Sequence, residues 1–196
     1  DRFGAVHLVA NNAGVFQGGL LWERTDAELD WVLGVNLWGI LNGIRSFVPR
    51  MLAGGQVGHI VNTASMAGMI SAPALAAYNV SKFGVVTLSE GLHHDLTLRK
   101  AKINVSVLCP AWVKTRIAES ERHREAQDRS DIAKLEKVSL MTSMAIMKAV
   151  QGGIEPAQVA NDVINAVKEN RFYILTHPNA KAGIKIRMED ILNERQ

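Results

Sequence analysis

The strongest fold signal in the chain is residues 59–82, which read HIVNTASMAGMISAPALAAYNVSK. The first six, His59 to Ala64, are an apolar run of strand length, and residues 74–100 carry the pattern of a long helix. Similar signals alternate along the rest of the chain, with strands predicted at 5–10, 102–108 and 171–175 and helices at 26–50, 156–169 and 180–194. This alternation predicts an α/β fold with a doubly wound parallel sheet, in a single domain over residues 1–196.

Two side chains in this stretch have a spacing that suits proton transfer. Tyr78 and Lys82 are four residues apart, so both lie on one face of a helix. A tyrosine needs roughly 4 kcal/mol to become a base near pH 7, and a lysine ammonium at about 4 Å supplies about that much. We therefore expect Lys82 to lower the pKa of Tyr78. Taken one at a time, Tyr78, Lys82 and Ser65 are more often core, solvated and capping residues.

Further motifs occur in an order and at separations typical of one family. They are Asn11-Asn12-Ala13-Gly14 after an apolar run, Asn36 within Val35-Asn36-Leu37, Ser65, the pair Tyr78-x-x-x-Lys82, and Pro110-Ala111-Trp112-Val113-Lys114-Thr115. With them the chain resembles the short-chain dehydrogenase/reductases over nearly its whole length. The resemblance implies a Rossmann-like fold and hydride transfer between NAD or NADP and a secondary alcohol or ketone.

The resemblance also implies a role for each site residue. Tyr78 is then the general acid/base, Lys82 also binds the nicotinamide ribose, and Ser65 stabilises charge on the substrate oxygen. Asn36 interrupts an apolar helical face. Either its amide is buried against backbone, or it holds a water that links Lys82 to solvent, and the two interpretations are compatible. The implied catalytic residues are Asn36, Ser65, Tyr78 and Lys82.

Cofactor contacts are expected where strands end, because open α/β sheets bind ligands at the carboxyl ends of their strands. By resemblance, Asn11 offers its amide to the adenosine ribose, and the loop 110–115 bonds the nicotinamide carboxamide. Ala111 replaces the family's usual glycine, which is tolerable unless that position needs a positive φ. The expected cofactor-binding residues are Asn11, Ala13, Gly14, Thr63, Tyr78, Lys82, Pro110, Val113 and Thr115.

The glycine-rich phosphate turn that opens a dinucleotide-binding domain is not found before Asn11. The family has that turn upstream of Asn-Asn-Ala-Gly. We therefore expect the chain to be a fragment without the first strands of the sheet, lacking about 60 or more residues. The strand at 5–10 would then be an unpaired edge, so we expect the isolated chain to be unstable or to self-associate.

Two functions remain open at the level of sequence. The first is an oxidoreductase, whose substrate lid occupies residues 116–150. There Leu140, Met144 and Met147 share a helical face that either packs on the core or forms an apolar substrate wall. The second is a catalytically silent module that acts only by association. The helices 26–50 and 74–100 pair between subunits in the family, so a homodimer or homotetramer is expected.

Composition excludes several other classes. The chain has 22 Lys and Arg against 19 Asp and Glu, and these charges are interspersed, which argues against nucleic-acid and membrane partners. The single cysteine, Cys109, sits in an apolar run and is interpreted as a small buried hydrophobe. The six histidines lack metal-ligand spacing, so we predict no metal site. Without a membrane-spanning or signal segment, the sequence predicts a cytoplasmic enzyme.

Overall fold

The order and direction of the strands determine which residues lie next to each other at the end of the sheet. A computed structural model describes residues 4–131 and 134–195. In that part of the chain, four parallel strands pair in the order β1-β2-β3-β4: Leu8–Asn11, Gly58–Thr63, Ile103–Leu108 and Tyr173–Ile174. The register aligns Asn11 with Asn62 and Thr63 with Leu108, so the strands end at one edge of the sheet. The predicted Rossmann-like parallel sheet is confirmed.

Helices cover both faces of this sheet. Ile60 and Val105 pack under α2 (Gly39–Gly54) and α3 (Ala76–Leu98), whereas Val61 and Leu108 pack under α5 (Pro156–Lys168), because successive strand residues point to opposite faces. Cys109 is fully buried, as expected. None of the helices in the described residues has the length and apolar character that crossing a bilayer requires. The helices are α1 Asp26–Leu33, α2 Gly39–Gly54, α3 Ala76–Leu98, α4 Lys137–Gln151, α5 Pro156–Lys168 and α6 Ala180–Leu192.

The predicted helix over 26–50 is not continuous. A π-helical segment, Gly34–Trp38, separates α1 from α2, and Asn36 lies within it, fully buried. The Asn36 amide accepts a hydrogen bond from the Val15 N–H (2.8 Å) and donates one to the Val15 carbonyl (2.9 Å). This contact with a distant loop accompanies the wider turn, and π-helical turns often mark functional sites.

Two other predicted boundaries shift for local reasons. The strand predicted at 171–175 contains only Tyr173–Ile174, because the Arg171 N–H closes α5 and its carbonyl accepts from the Ser106 hydroxyl. The helix predicted from residue 74 begins at Ala76. Ala74 has a φ of 55° and its carbonyl accepts from the Gly19 N–H, so the chain turns there before the helix starts.

Candidate active site

A cavity of about 840 Å³ opens at the carboxyl ends of the strands. Its floor carries Thr63, Ser65, Tyr78 and Lys82, which come from the end of β2, the loop after it and the first turns of α3. The volume lies within the usual range for small-molecule sites. Three of the four predicted catalytic residues therefore line one cavity.

A tight turn brings Ser65 to Tyr78. Ser65 caps the short helix Met66–Gly68 by accepting a hydrogen bond from the Ala67 N–H (3.1 Å). Gly68 packs directly on α3, where an added Cβ would lie only 2.5 Å from the Lys82 carbonyl oxygen. This close approach needs glycine. The Ser65 hydroxyl donates to the Pro110 carbonyl (3.3 Å), and its effect on the pKa of Tyr78 is a lowering that is smaller than the rise caused by burial.

Burial dominates the electrostatics of the tyrosine and the lysine. Lys82 Nζ lies 5.5 Å from the centre of the Tyr78 ring and donates to the Thr63 carbonyl (3.1 Å), so the predicted shared face is confirmed. However, burial raises the pKa of Tyr78 to about 12, against the smaller effect of Ser65, and lowers the pKa of Lys82 to about 8. Burial thus outweighs the charge of Lys82, and the expectation that Lys82 lowers the tyrosine pKa stays a prediction. Lys82 loses its proton first and is neutral when Tyr78 titrates.

Asn36 lies close to this pair without lining the cavity. Besides its two bonds to Val15, its amide donates to the Ser81 hydroxyl (3.1 Å). The interpretation of a buried amide bonded to backbone is therefore confirmed. Gly14 passes between Asn36 and Lys82: a Cβ on Gly14 would lie 3.5 Å from Asn36 Oδ1 and 3.6 Å from Lys82 Nζ.

The two adjacent asparagines after β1 point in opposite directions. The Asn11 amide donates to Asn62 (2.8 Å) and packs against Gly43 of α2, so it faces away from the cavity. The predicted contact of its amide with the cofactor ribose does not agree with this orientation. Asn12 lines the cavity instead and accepts from the Thr63 hydroxyl (2.9 Å), and Ala13 is exposed beside it.

The loop after β3 forms another wall and is braced from behind. Pro110, Val113 and Thr115 all line the cavity. Ala111 is not among the residues with positive φ in the described part of the chain, so the methyl group in place of glycine is tolerated. His177, which the sequence analysis assigned no role, accepts from the Ala111 N–H (3.3 Å) and contacts the Trp112 carbonyl (3.1 Å).

The remaining walls are apolar and were mostly missed from sequence. The edge of the Phe16 ring packs on Tyr78, with centroids 5.2 Å apart and the planes at 70°. Phe16 and Ile117 pack against a buried cluster of Leu75, Ile146 and Val150. The predicted apolar face of α4 is wrong, because Met144 is 71% exposed, and the buried stripe lies on the other side of the helix. The signal that could have identified Phe16 is an aromatic residue two positions after Gly14.

Comparison with known proteins gives the context for this arrangement. The family model for short chain dehydrogenases matches residues 1–126. A "CLA biosynthesis dehydrogenase/reductase" of Lactiplantibacillus plantarum is 31% identical over 99% of this chain and 68% of its own length. A "C alpha-dehydrogenase" of Sphingobium sp. strain SYK-6 is 34% identical over 95% of the chain and 59% of its own length. The chain thus spans about three fifths to two thirds of these curated relatives.

Solved structures that resemble this chain are also short-chain dehydrogenases. A short-chain dehydrogenase/reductase from Burkholderia phymatum, solved in complex with NAD, is 44% identical, with a TM-score of 0.94 over 99% of this chain and 69% of that one. A short-chain dehydrogenase from Novosphingobium aromaticivorans is 37% identical, with a TM-score of 0.74 over 100% of this chain and 60% of that one. The cofactor class predicted from sequence, NAD or NADP, agrees with the ligand of the first. The chain belongs to the short-chain dehydrogenase/reductase family.

Proposed function

We propose that the protein is an NAD- or NADP-dependent oxidoreductase that interconverts a secondary alcohol and a ketone, with Tyr78 as the proton donor and acceptor. The observation that carries the proposal is that Ser65, Tyr78 and Lys82 line the floor of one largely apolar cavity, with Lys82 Nζ 5.5 Å from the centre of the Tyr78 ring. Two hydroxyls side by side can hold one carbonyl or alcohol oxygen between them.

Each group has a task that follows from its pKa. Tyr78 keeps its proton at pH 7, since burial raises its pKa to about 12, so it can donate that proton to a carbonyl oxygen. The Ser65 hydroxyl stabilises the charge that develops on this oxygen. Lys82 has a pKa lowered by burial to about 8, so it is mostly charged at pH 7 and stabilises the phenolate that Tyr78 leaves. Alcohol oxidation uses the same groups in reverse.

We assign Asn36 to a proton relay from Lys82. Asn36 Oδ1 and Lys82 Nζ both lie within 3.6 Å of the position that a Gly14 Cβ would take, so the two polar groups are near each other. The Asn36 carbonyl oxygen has a second lone pair besides the one that bonds Val15.

The residues around the cavity fit a nicotinamide cofactor, which supplies or accepts the hydride when bound. Gly14 leaves space beside Lys82, and Asn12 and Thr63 present polar groups at the ends of β1 and β2. We propose that these residues, with Ala13 and the loop residues Pro110, Val113 and Thr115, hold the nicotinamide half. Asn11 then supports the loop from behind through Asn62.

The substrate we propose carries apolar groups on both sides of its carbonyl or alcohol carbon. Phe16, Leu75 and Ile146 supply this environment around Tyr78. The two curated relatives are both named as dehydrogenases, which supports the reaction class.

A homodimer or homotetramer through the helices 26–50 and 74–100 belongs to the same proposal. Exposed apolar side chains on these helices support it: Trp38 is 56% exposed and Val80 60%. They also favour the second candidate, a silent module that acts only by association. Light scattering tests the assembly, and a monomeric wild-type protein would contradict it. The cytoplasmic location stays a prediction.

The decisive experiment compares the two tyrosines of the chain. Tyr78→Phe should lower kcat for ketone reduction by about 10²–10⁴-fold, the usual contribution of general acid catalysis, and leave cofactor affinity unchanged by fluorescence titration. Tyr173→Phe is the control, because Tyr173 is 42% exposed on β4 and bonds Glu90. Equal activity of the two variants would overturn the role of Tyr78. Cofactor binding without turnover on any ketone of a panel would favour the silent module.

The pH profile gives a second test. The ammonium of Lys82 is present below a pKa of about 8 and is lost above it. We expect kcat for ketone reduction to fall as the pH rises through about 8. A flat profile from pH 7 to about 9.5 would contradict the assigned role of Lys82.

A further inference from the structure

A buried polar cluster joins the loop after β1 to the loop after β3, outside the site described above. Gln17 Nε2 has two N–H groups and lies within hydrogen-bond distance of three oxygens, those of Glu28 (2.9 Å), Glu121 (2.9 Å) and the Ser130 hydroxyl (2.8 Å). The Ser130 hydroxyl contacts both carboxylates, at 2.6 Å from Glu28 and 3.0 Å from Glu121. With Arg124, whose guanidinium lies 3.6 Å from Glu121, we call these five residues the polar latch.

Two of the three charged side chains of the polar latch are removed from solvent, and the third, Glu121, is 33% exposed. The side chains of Glu28 and Arg124 are each 6% exposed, and Arg24 beside them is 4% exposed. Burial alone raises the pKa of Glu28, but hydrogen bonds from Ser130 and Thr25, with the charge of Arg24, outweigh it and lower that pKa. Glu28 is therefore a carboxylate at neutral pH.

Stability alone does not account for this cluster. Among the described residues, buried atoms without a hydrogen-bond partner include Gln17 Oε1, Arg24 Nε and Arg124 Nη1, all in or next to the latch. A partly satisfied ionic cluster is commonly no more stabilising than apolar residues of the same volume. What such a cluster does provide is a single defined arrangement of the segments that it joins.

Each side of the latch adjoins a residue of the cavity wall. Phe16, which packs its edge on Tyr78, directly precedes Gln17. Ser120 directly precedes Glu121, and its hydroxyl accepts from the Phe16 N–H (2.9 Å). Phe16 and Ser120 both line the cavity, so movement of the latch moves both of them.

We infer that the polar latch sets the substrate side of the site: Gln17 and Glu28 are positioning residues that hold Phe16 against Tyr78 by docking residues 117–130 on α1. This inference rests on the proposed function, because it assigns the latch to the substrate wall of that site. In the described part of the chain, none of the hydrogen bonds and ion pairs of the latch side chains reaches the loop 110–115 or Lys82. Its loss should therefore affect the substrate and spare the cofactor.

The test uses two latch variants and one control in the protein. Glu28→Gln removes the shared carboxylate charge, and Gln17→Met removes the amide without leaving a new buried charge. Glu119→Gln is the control, because Glu119 lies in the same loop but forms an exposed ion pair with Arg116. Circular dichroism checks that each variant is folded.

The first readout needs no activity. Under native conditions, trypsin should cleave at Arg122, Arg124 or Arg129 at least about tenfold faster in both latch variants than in wild type or Glu119→Gln, because cleavage follows local opening. Unchanged cleavage in a folded Gln17→Met variant overturns the latch, even if no ketone is ever turned over.

The second readout separates positioning from mere stability. In the active protein, both latch variants should raise KM for an apolar ketone about tenfold, with the affinity for NADH or NADPH unchanged by fluorescence titration. Faster cleavage with unchanged KM and kcat overturns the positioning role. A wild type without turnover on any ketone overturns the proposed function instead, and leaves the cleavage result to decide on the latch.

Discussion

Replacing Lys82 by methionine is expected to stabilise the fold at neutral pH, although it removes a group that we assign to the reaction. Burial lowers the pKa of Lys82 from 10.5 to about 8. At about 1.4 kcal/mol per pH unit, holding the buried ammonium destabilises the folded state by about 3 kcal/mol at pH 7. The variant also loses the hydrogen bond from Nζ to the Thr63 carbonyl, worth about 1 kcal/mol. The net gain for Lys82→Met at pH 7 is about 2 kcal/mol.

The sign of this difference should depend on pH. Because the folded pKa of Lys82 is below the unfolded one, its destabilising effect is complete below about pH 8 and vanishes as the pH rises to 10.5. At pH 10.5 only the lost hydrogen bond remains, so the wild type should become the more stable protein, by about 1 kcal/mol. Burial raises the pKa of Tyr78 and of Cys109 to about 12, so both stay mostly protonated up to pH 10.5 in wild type and variant.

Urea unfolding followed by tryptophan fluorescence measures both free energies at pH 7, 9 and 10.5. Lys185→Met is the control, because the Lys185 side chain is 77% exposed. Its effect on the free energy of unfolding should be small at all three pH values. The reasoning is refuted if Lys82→Met is no more stable than wild type at pH 7, or if the difference stays constant up to pH 10.5.

Three shorter predictions follow from neighbouring contacts. Gly153→Ala should weaken the binding of NADH or NADPH about tenfold by fluorescence titration, because its Cβ would collide with the Trp112 backbone. Gly152→Ala, with no contact under 3.6 Å, should not. Ser65→Ala should lower kcat for ketone reduction about 10²-fold and leave cofactor affinity unchanged, as steady-state kinetics and titration would show. The pKa of Glu28 lies below its ordinary 4.5, so its contribution to stability is complete above that pH and lost as the pH falls below it. Urea midpoints at about pH 5 and 3 should therefore fall less for Glu28→Gln than for wild type.

Local periodicity was sufficient to predict the features that depend on spacing alone. Strand and helix alternation predicted the parallel sheet, and a separation of four residues predicted that Tyr78 and Lys82 share a face. The π-helical segment at Gly34–Trp38 was not predictable in this way, since it accompanies a contact between Asn36 and Val15, 21 positions away. Contacts across such distances leave no periodic signal in the sequence.

Orientation and burial account for the other differences. Adjacent residues at a strand end point to opposite sides, so only one of Asn11 and Asn12 can face the cavity, and a motif does not say which. The pKa of Tyr78 depends on how completely the fold removes its hydroxyl from water. Spacing along a helix predicts which charged side chain lies beside a tyrosine. It does not predict how far the fold removes the tyrosine hydroxyl from water.

The charge of Lys82 is too small to make Tyr78 a base at neutral pH. Over the 5.5 Å from its ammonium to the centre of the ring, at an effective dielectric constant of about 20, the attraction is about 3 kcal/mol. That equals about two pH units, which is well short of the roughly five units between a pKa of about 12 and pH 7. Tyr78 therefore still holds its proton at pH 7, next to a lysine that is mostly charged. Before any substrate binds, the pair therefore holds the proton that the proposed reduction of a ketone would transfer to the carbonyl oxygen.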